Sequence, residues 1–226
     1  MDAAECTVHR ARLSDLRDHH AALLSLAERE RRARFRRPDD RDRFTMGAAL
    51  LRLAVAQRTG TEPSTVAITR TCDECGRQHG RPRLEHGVHA SVSHSGDLVV
   101  VATTVAGPVG IDVEQIGEAP WHDLASAVCA PGELASVLTP ADFFTCWVRK
   151  EAYLKATGEG LRRDMTEVVV TPPGSAPALV CLAGGPAPLC SMAEVGADGY
   201  AGAVVVLSRE RVRFSGVDGL QPCTTR

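Results

Sequence analysis

Lysine is almost missing from this sequence. Of the 26 basic residues only Lys150 and Lys155 are lysine, and the other 24 are arginine. A guanidinium stays charged in effect always, whereas a lysine ammonium is a compact charge that can give up its proton. Two lysines close together in a chain that otherwise uses arginine therefore mark a segment with a chemical requirement of its own. Aromatic residues are also scarce, at 4%, and the formal net charge is −2. A nucleic-acid surface needs net positive charge and, for single strands, stacking rings, so that class of partner is disfavoured. No apolar run approaches the roughly 18 residues of a membrane helix, and no membrane partner is expected. The opening Met1, Asp2, Ala3, Ala4, Glu5 has the wrong charge for a secretory signal. The expected setting is cytoplasmic.

What is present is ordinary globular composition. A chain of 226 residues, 44% apolar and 24% charged, can bury a sizeable core as one larger domain or two packed halves. Six of the eight cysteines are scattered singly and read as reduced thiols filling the core. The other two, Cys72 and Cys75, precede His79 in a C-x-x-C-x-x-x-H pattern. With His86 or His89 as a fourth ligand this loop suggests zinc, but the usual spacing to a second ligand pair is missing, so a metal-free surface loop is preferred.

Apolar spacing predicts a helix over 14–37 stopped by Pro38, a second over 44–58 closed by Gly60, a short one over 121–127 and a long one over 140–157. Strands are expected over 66–69, 88–92, 97–105, 109–113, 167–171, 178–182, 188–195, 200–207 and 212–214. Helices followed by strands, twice over, indicate an α+β fold of two similar halves, 1–106 and 107–226, with the seam at Gly107 and Pro108.

The chemistry concentrates after that seam. In Gly110-Ile111-Asp112-Val113-Glu114, alternation puts both acids on one strand face about 7 Å apart, with Ile111 and Val113 toward the core. Two such carboxylates repel unless a cation lies between them, and a hard divalent ion such as Mg²⁺ suits them. In Trp147 to Lys155, positions 147, 151 and 155 fall one turn apart on a helix face. Each pattern alone also fits a solvated surface. Trp147 on the same stripe favours partial burial and places Glu151 and Lys155 in a cleft. Gly158 and Gly160 then allow a left-handed exit. Three carboxylates and a lysine make a site for a polyphosphate.

Eight arginines against four acids between Arg29 and Arg43 are either a solvated face or a phosphate-neutralising cluster. Arg81, held extended by Pro82, is a second candidate for phosphate. Ser93 and His94, at a strand end beside Gly96, suit an anion.

In this order, these segments resemble the Sfp-type 4′-phosphopantetheinyl transferases. Gly110, Asp112 and Glu114 match the family's G-x-D-x-E pattern, and Trp147, Lys150, Glu151 and Ala152 match its W-x-x-K-E-A pattern, within a likeness covering about 29–161. The resemblance implies a pseudo-two-fold pair of halves with coenzyme A bound between them. It implies Mg²⁺ on Asp112, Glu114 and Glu151, Glu151 and Lys155 as catalytic residues, and Arg31, Arg43, Arg81, Ser93, His94, Lys150 and Lys155 as coenzyme A contacts. The implied partner is an apo acyl or peptidyl carrier protein, and the implied state a monomer. A zinc-stabilised nucleic-acid-binding module and a metal-dependent phosphohydrolase are the alternatives.

Overall fold

The computed structural model describes residues 4–71, 75–118 and 120–219. Its strands are β1 (Ala4–Arg12), β2 (Thr69–Thr71), β3 (Gln78–Arg83), β4 (His89–Ser95), β5 (Leu98–Thr104), β6 (Val109–Gln115), β7 (Val168–Val170), β8 (Leu179–Leu182), β9 (Gly185–Pro186), β10 (Ser191–Glu194), β11 (Tyr200–Val206) and β12 (Val212–Asp218). The α-helices are α1 (Leu26–Ala33), α2 (Pro38–Thr59), α3 (Trp121–Val128), α4 (Pro131–Leu134) and α5 (Pro140–Thr157).

Two sheets carry the molecule, one ordered β12-β1-β5-β4 and one ordered β10-β11-β6; β2-β3 and β7-β8-β9 are smaller. β5 is buried on both faces, and alternation divides it. Val99 and Val101 pack with Met46, Leu50 and Leu51 of α2. Leu98, Val100 and Ala102 pack with Val109, Ile111 and Val113 of β6. On the far side of the second sheet, Ala203 and Val205 of β11 meet Phe143, Cys146 and Ala152 of α5. The layers thus run α2, first sheet, second sheet, α5, which is a mixed α+β fold with an apolar seam. Full burial of each such valine or isoleucine contributes about 1.5–3 kcal/mol.

Polar side chains hold the two sheets in register where β4 meets β6. The Ile111 N–H donates to Ser91 Oγ (3.1 Å) and the Gln115 N–H to Ser95 Oγ (3.0 Å). Ser91 and Ser95 of β4 thereby accept backbone donors of β6, and the Ile111 N–H would otherwise be buried unpaired. β12, the last strand among the described residues, returns to pair in parallel with β1 in the first sheet.

The helix expected over 14–37 is not continuous. It is broken into 3₁₀ turns at Leu13–Asp15 and Asp18–Leu23, followed by α1. Local side chains capture the backbone donors: Arg12 N–H goes to Asp15 Oδ2 (2.9 Å), Arg17 N–H to His20 Nδ1 (2.9 Å) and Ser25 N–H to Glu28 Oε2 (2.8 Å). Such bonds compete with helix propagation. Pro38 begins α2 instead of ending the segment before it, because its missing N–H is harmless at the first helical position. The strand expected at 66–69 begins at Thr69, and β1 was not anticipated.

Candidate active site

Gly110 explains why the two acidic motifs meet. A Cβ added there would stand 2.0 Å from the Ala152 carbonyl oxygen and 2.4 Å from the Ala156 nitrogen. Only a glycine lets α5 lie this close on β6. Asp112 and Glu114 follow Gly110 at two-residue intervals and share its face, toward α5, while Ile111 and Val113 enter the apolar seam as expected. Across the contact, Lys155 Nζ donates to Asp112 Oδ1 (2.6 Å) and to Ser93 Oγ (3.1 Å), and Ser93 Oγ donates to the same Asp112 oxygen (2.8 Å). Ser95 Oγ donates to Glu114 Oε2 (2.7 Å). Asp112 Oδ2 is buried and has no hydrogen-bond partner.

A cleft of about 530 Å³ opens over this floor. Trp147, Glu151 and Lys155 line it together, as the helical spacing predicts, and Arg31, Arg43, Ser93, His94, Asp112 and Glu114 line it too. Burial, followed by the Asp112 charge, holds the Glu151 carboxyl above the usual range, with Lys155 opposing. Glu114 is also raised, by burial first; the Ser95 hydrogen bond opposes and Asp112 adds to the rise. Burial lowers the pKa of His94, and Arg43 and Lys155 add to the effect. A backbone hydrogen bond opposes the shift, and the net effect favours the neutral, hydrogen-bonding form of His94.

The other predicted residues divide. Arg43 is held by bonds to the Gly96 carbonyl (2.8 Å) and Asp40 Oδ1 (2.7 Å), which aim it along the wall. Arg31 is exposed, donates to the Gln78 carbonyl (3.2 Å) and lies over the Phe44 ring. Arg81 is not in the cleft lining; its guanidinium reaches the Ala156 carbonyl (3.3 Å) in the last turn of α5, where free carbonyls attract a cation.

Lys150 requires a correction. It is 0% exposed and donates to Glu133 Oε2 (2.6 Å) and to the carbonyls of Val128 (2.7 Å) and Met165 (3.0 Å). One position before Glu151 is about 100° around a helix, so Lys150 points away from the cleft and is bound within the protein. All three ammonium protons have protein acceptors, which leaves none for a ligand phosphate.

Sequence reasoning missed Arg70, Glu28 and Gln78, all in the cleft wall. Glu28 pairs with the nearly buried Arg52 (2.7 Å). Arg70 sits on β2, where burial lowers its pKa. No spacing signal singles it out, since a three-residue strand shows no period. Of the zinc candidates, Cys72 and the His79 side chain lie outside the described residues, and Cys75 is exposed. No helix among the described residues is long and apolar enough to cross a membrane.

An acidic floor under arginine-bearing walls, built between a helix–sheet layer on each side, defines an α+β protein with a charged interlayer cleft. Comparisons with known proteins sharpen that class. A family model described as the 4′-phosphopantetheinyl transferase superfamily matches residues 108–205, and one described as 4′-phosphopantetheinyl transferase, N-terminal, matches residues 14–106. The chain is 33% identical over 165 residues to the 4′-phosphopantetheinyl transferase HetI of Nostoc sp., covering 67% of each. It is 28% identical over 152 residues to a 4′-phosphopantetheinyl transferase of Bacillus subtilis, covering 64% of each. It is 34% identical over 149 residues to the 4′-phosphopantetheinyl transferase psf-1 of Bacillus pumilus, covering 62% of this chain and 60% of that one. These matches span 67%, 64% and 60% of the relatives' length. The chain belongs to the 4′-phosphopantetheinyl transferase superfamily.

Proposed function

We propose that this enzyme transfers the 4′-phosphopantetheine group of coenzyme A to a serine hydroxyl of an apo acyl or peptidyl carrier protein, releasing 3′,5′-adenosine bisphosphate. The observation that carries the reading is the meeting of Asp112, Glu114, Glu151 and Lys155 on the floor of an arginine-walled cleft in a chain of this family. The floor also fits Mg²⁺. Three carboxylates face one lysine, two of them are pushed toward the neutral form, and the third has a buried oxygen without a partner. Asp112, Glu114 and Glu151 would hold the ion, which would supply positive charge against the coenzyme A pyrophosphate.

The protein's own groups then have distinct tasks. Arg31, Arg43 and Arg70, with Ser93 and neutral His94, hold the phosphates and hydroxyls of the nucleotide. Glu151, directly or through a metal-bound water, accepts the proton of the attacking serine hydroxyl. The serine oxygen bonds to the β-phosphorus as the bond to the α–β bridging oxygen breaks. Lys155 neutralises or protonates that leaving oxygen. The reading includes two similar halves, each a helix on a sheet, with the ligand between them. It also includes a cytoplasmic setting and a monomeric state, the latter because one chain supplies both walls and the floor.

Intact-mass measurement of an apo carrier protein with coenzyme A and Mg²⁺ tests this. A phosphopantetheine adduct is expected, and Glu151→Gln should slow its formation by about 10²–10⁴-fold. Breakdown of coenzyme A without carrier, and no adduct with it, would establish a phosphohydrolase instead.

A further inference from the structure

We infer that Lys155 is the resident counter-cation of the acidic floor, occupying against Asp112 the place a divalent ion takes, and that metal binding releases its ammonium toward the ligand's phosphate. This rests on the transferase reading and goes beyond it, since it makes one side chain a competitor of the metal before it is a partner of the substrate. The Nζ–Oδ1 distance is 2.6 Å, and Ser93 Oγ, at 3.1 Å from Nζ, steadies the ammonium there. The same charge acts on both Glu114 and Glu151, offsetting part of the repulsion among the acids. Among the described residues no three ligating side chains converge into a ready cage. The carboxylates are gathered around a lysine instead.

The choice of residue follows. An ammonium is compact and strongly hydrated, closer to a hard cation than a planar guanidinium is. It rides on a flexible stem whose side chain is 31% exposed, so it can swing into the cleft without unpacking the core. In a chain with 24 arginines, this place calls for the other cation. Two linked consequences follow. Metal alone must displace Lys155 and binds weakly. Metal and a phosphorylated ligand assist each other, because the displaced ammonium finds a new anion.

Wild-type protein offers a direct readout. Lys150 is fully buried, so amine-reactive labelling mapped by peptide mass reports on Lys155 alone among the lysines. Adding Mn²⁺ should speed labelling of Lys155 severalfold, and adding coenzyme A to the Mn²⁺ complex should suppress it. In parallel, Mn²⁺ binding is followed by electron paramagnetic resonance at fixed pH without carrier. Lys155→Met, with its fold confirmed by circular dichroism, should bind Mn²⁺ on the order of tenfold more tightly than wild type in the absence of coenzyme A, because a competing charge about 4 Å from the ion is gone. Mn²⁺ that binds without changing Lys155 labelling, or with equal or lower affinity in Lys155→Met, overturns the inference and leaves the metal reading standing. If neither protein binds Mn²⁺ even with coenzyme A, both fall.

Discussion

His9 is 4% exposed on β1, where burial, reinforced by the Arg58 guanidinium, lowers its pKa from 6.5 to about 4. The unfolded chain takes up this proton near pH 6.5 and the folded protein only near pH 4. Stability is therefore full above pH 6.5 and falls as the pH drops toward 4, by at most about 3 kcal/mol from this residue. Urea unfolding across that range should show the slope, and His9→Gln should flatten it. The buried Lys150–Glu133 pair behaves differently. Lys150→Met alone should cost about 3–5 kcal/mol, because Glu133 would be left as a buried uncompensated charge, whereas Lys150→Met with Glu133→Leu should recover only part of the loss, because the Ala130 and Val170 N–H groups lose their acceptor. A double-mutant cycle by denaturation measures this. At this scale the sequence is readable only in part. Glu151 and Lys155 declare themselves by a one-turn spacing that survives folding. Lys150 lies beside them in sequence, and its opposite destination depends on where Val128, Glu133 and Met165 come to rest.

Among the elements, α5 was the most legible. Thr139 accepts the Asp142 N–H at its start, Pro140 fills its first position, and Gly158 ends it with φ of 79°; all three signals are local. The 14–37 segment carried equally local signals, in Asp15, His20 and Ser25, but they were hidden beneath an apparent apolar period. β1 was invisible because His9, Arg10 and Arg12 interrupt any apolar alternation, and its strand state comes from distant neighbours on both sides. The contact of α5 with β6 yields the prediction at this scale. Gly110→Ala forces the helix off the strand and should lower stability by about 1–3 kcal/mol or more. Its effect on carrier modification should exceed that of an equally destabilising substitution remote from the cleft, since Glu151 and Lys155 ride on the displaced helix. Denaturation and intact-mass assays on the same preparations separate the two effects.

Across the whole molecule, a ligand between the layers is expected to stabilise both. Coenzyme A with Mg²⁺ at a hundred times its dissociation constant should add about 2.7 kcal/mol. Hydrogen exchange should slow in α2 and β4 as well as in α5. Protection confined to one layer would place the ligand elsewhere. Composition and spacing pointed to this scale through the cluster of motifs after Gly107. They did not show that β12 crosses back to the first sheet, because its pairing with β1 joins residues 208 positions apart.

That return of β12 bears on how the protein is made. Paired residues of β1 and β12 lie 208 positions apart, so β1 leaves the ribosome well before β12 at about 5–20 residues per second. For most of synthesis β1 has β5 on one side and an open row of backbone donors and acceptors on the other, the situation in which nascent strands recruit one another. A transcript broken before the codon for Val212 would yield a chain that has every residue of the cleft yet is prone to join its neighbours through β1. When β12 docks it covers the outer row of β1 and becomes the edge of the sheet in its place.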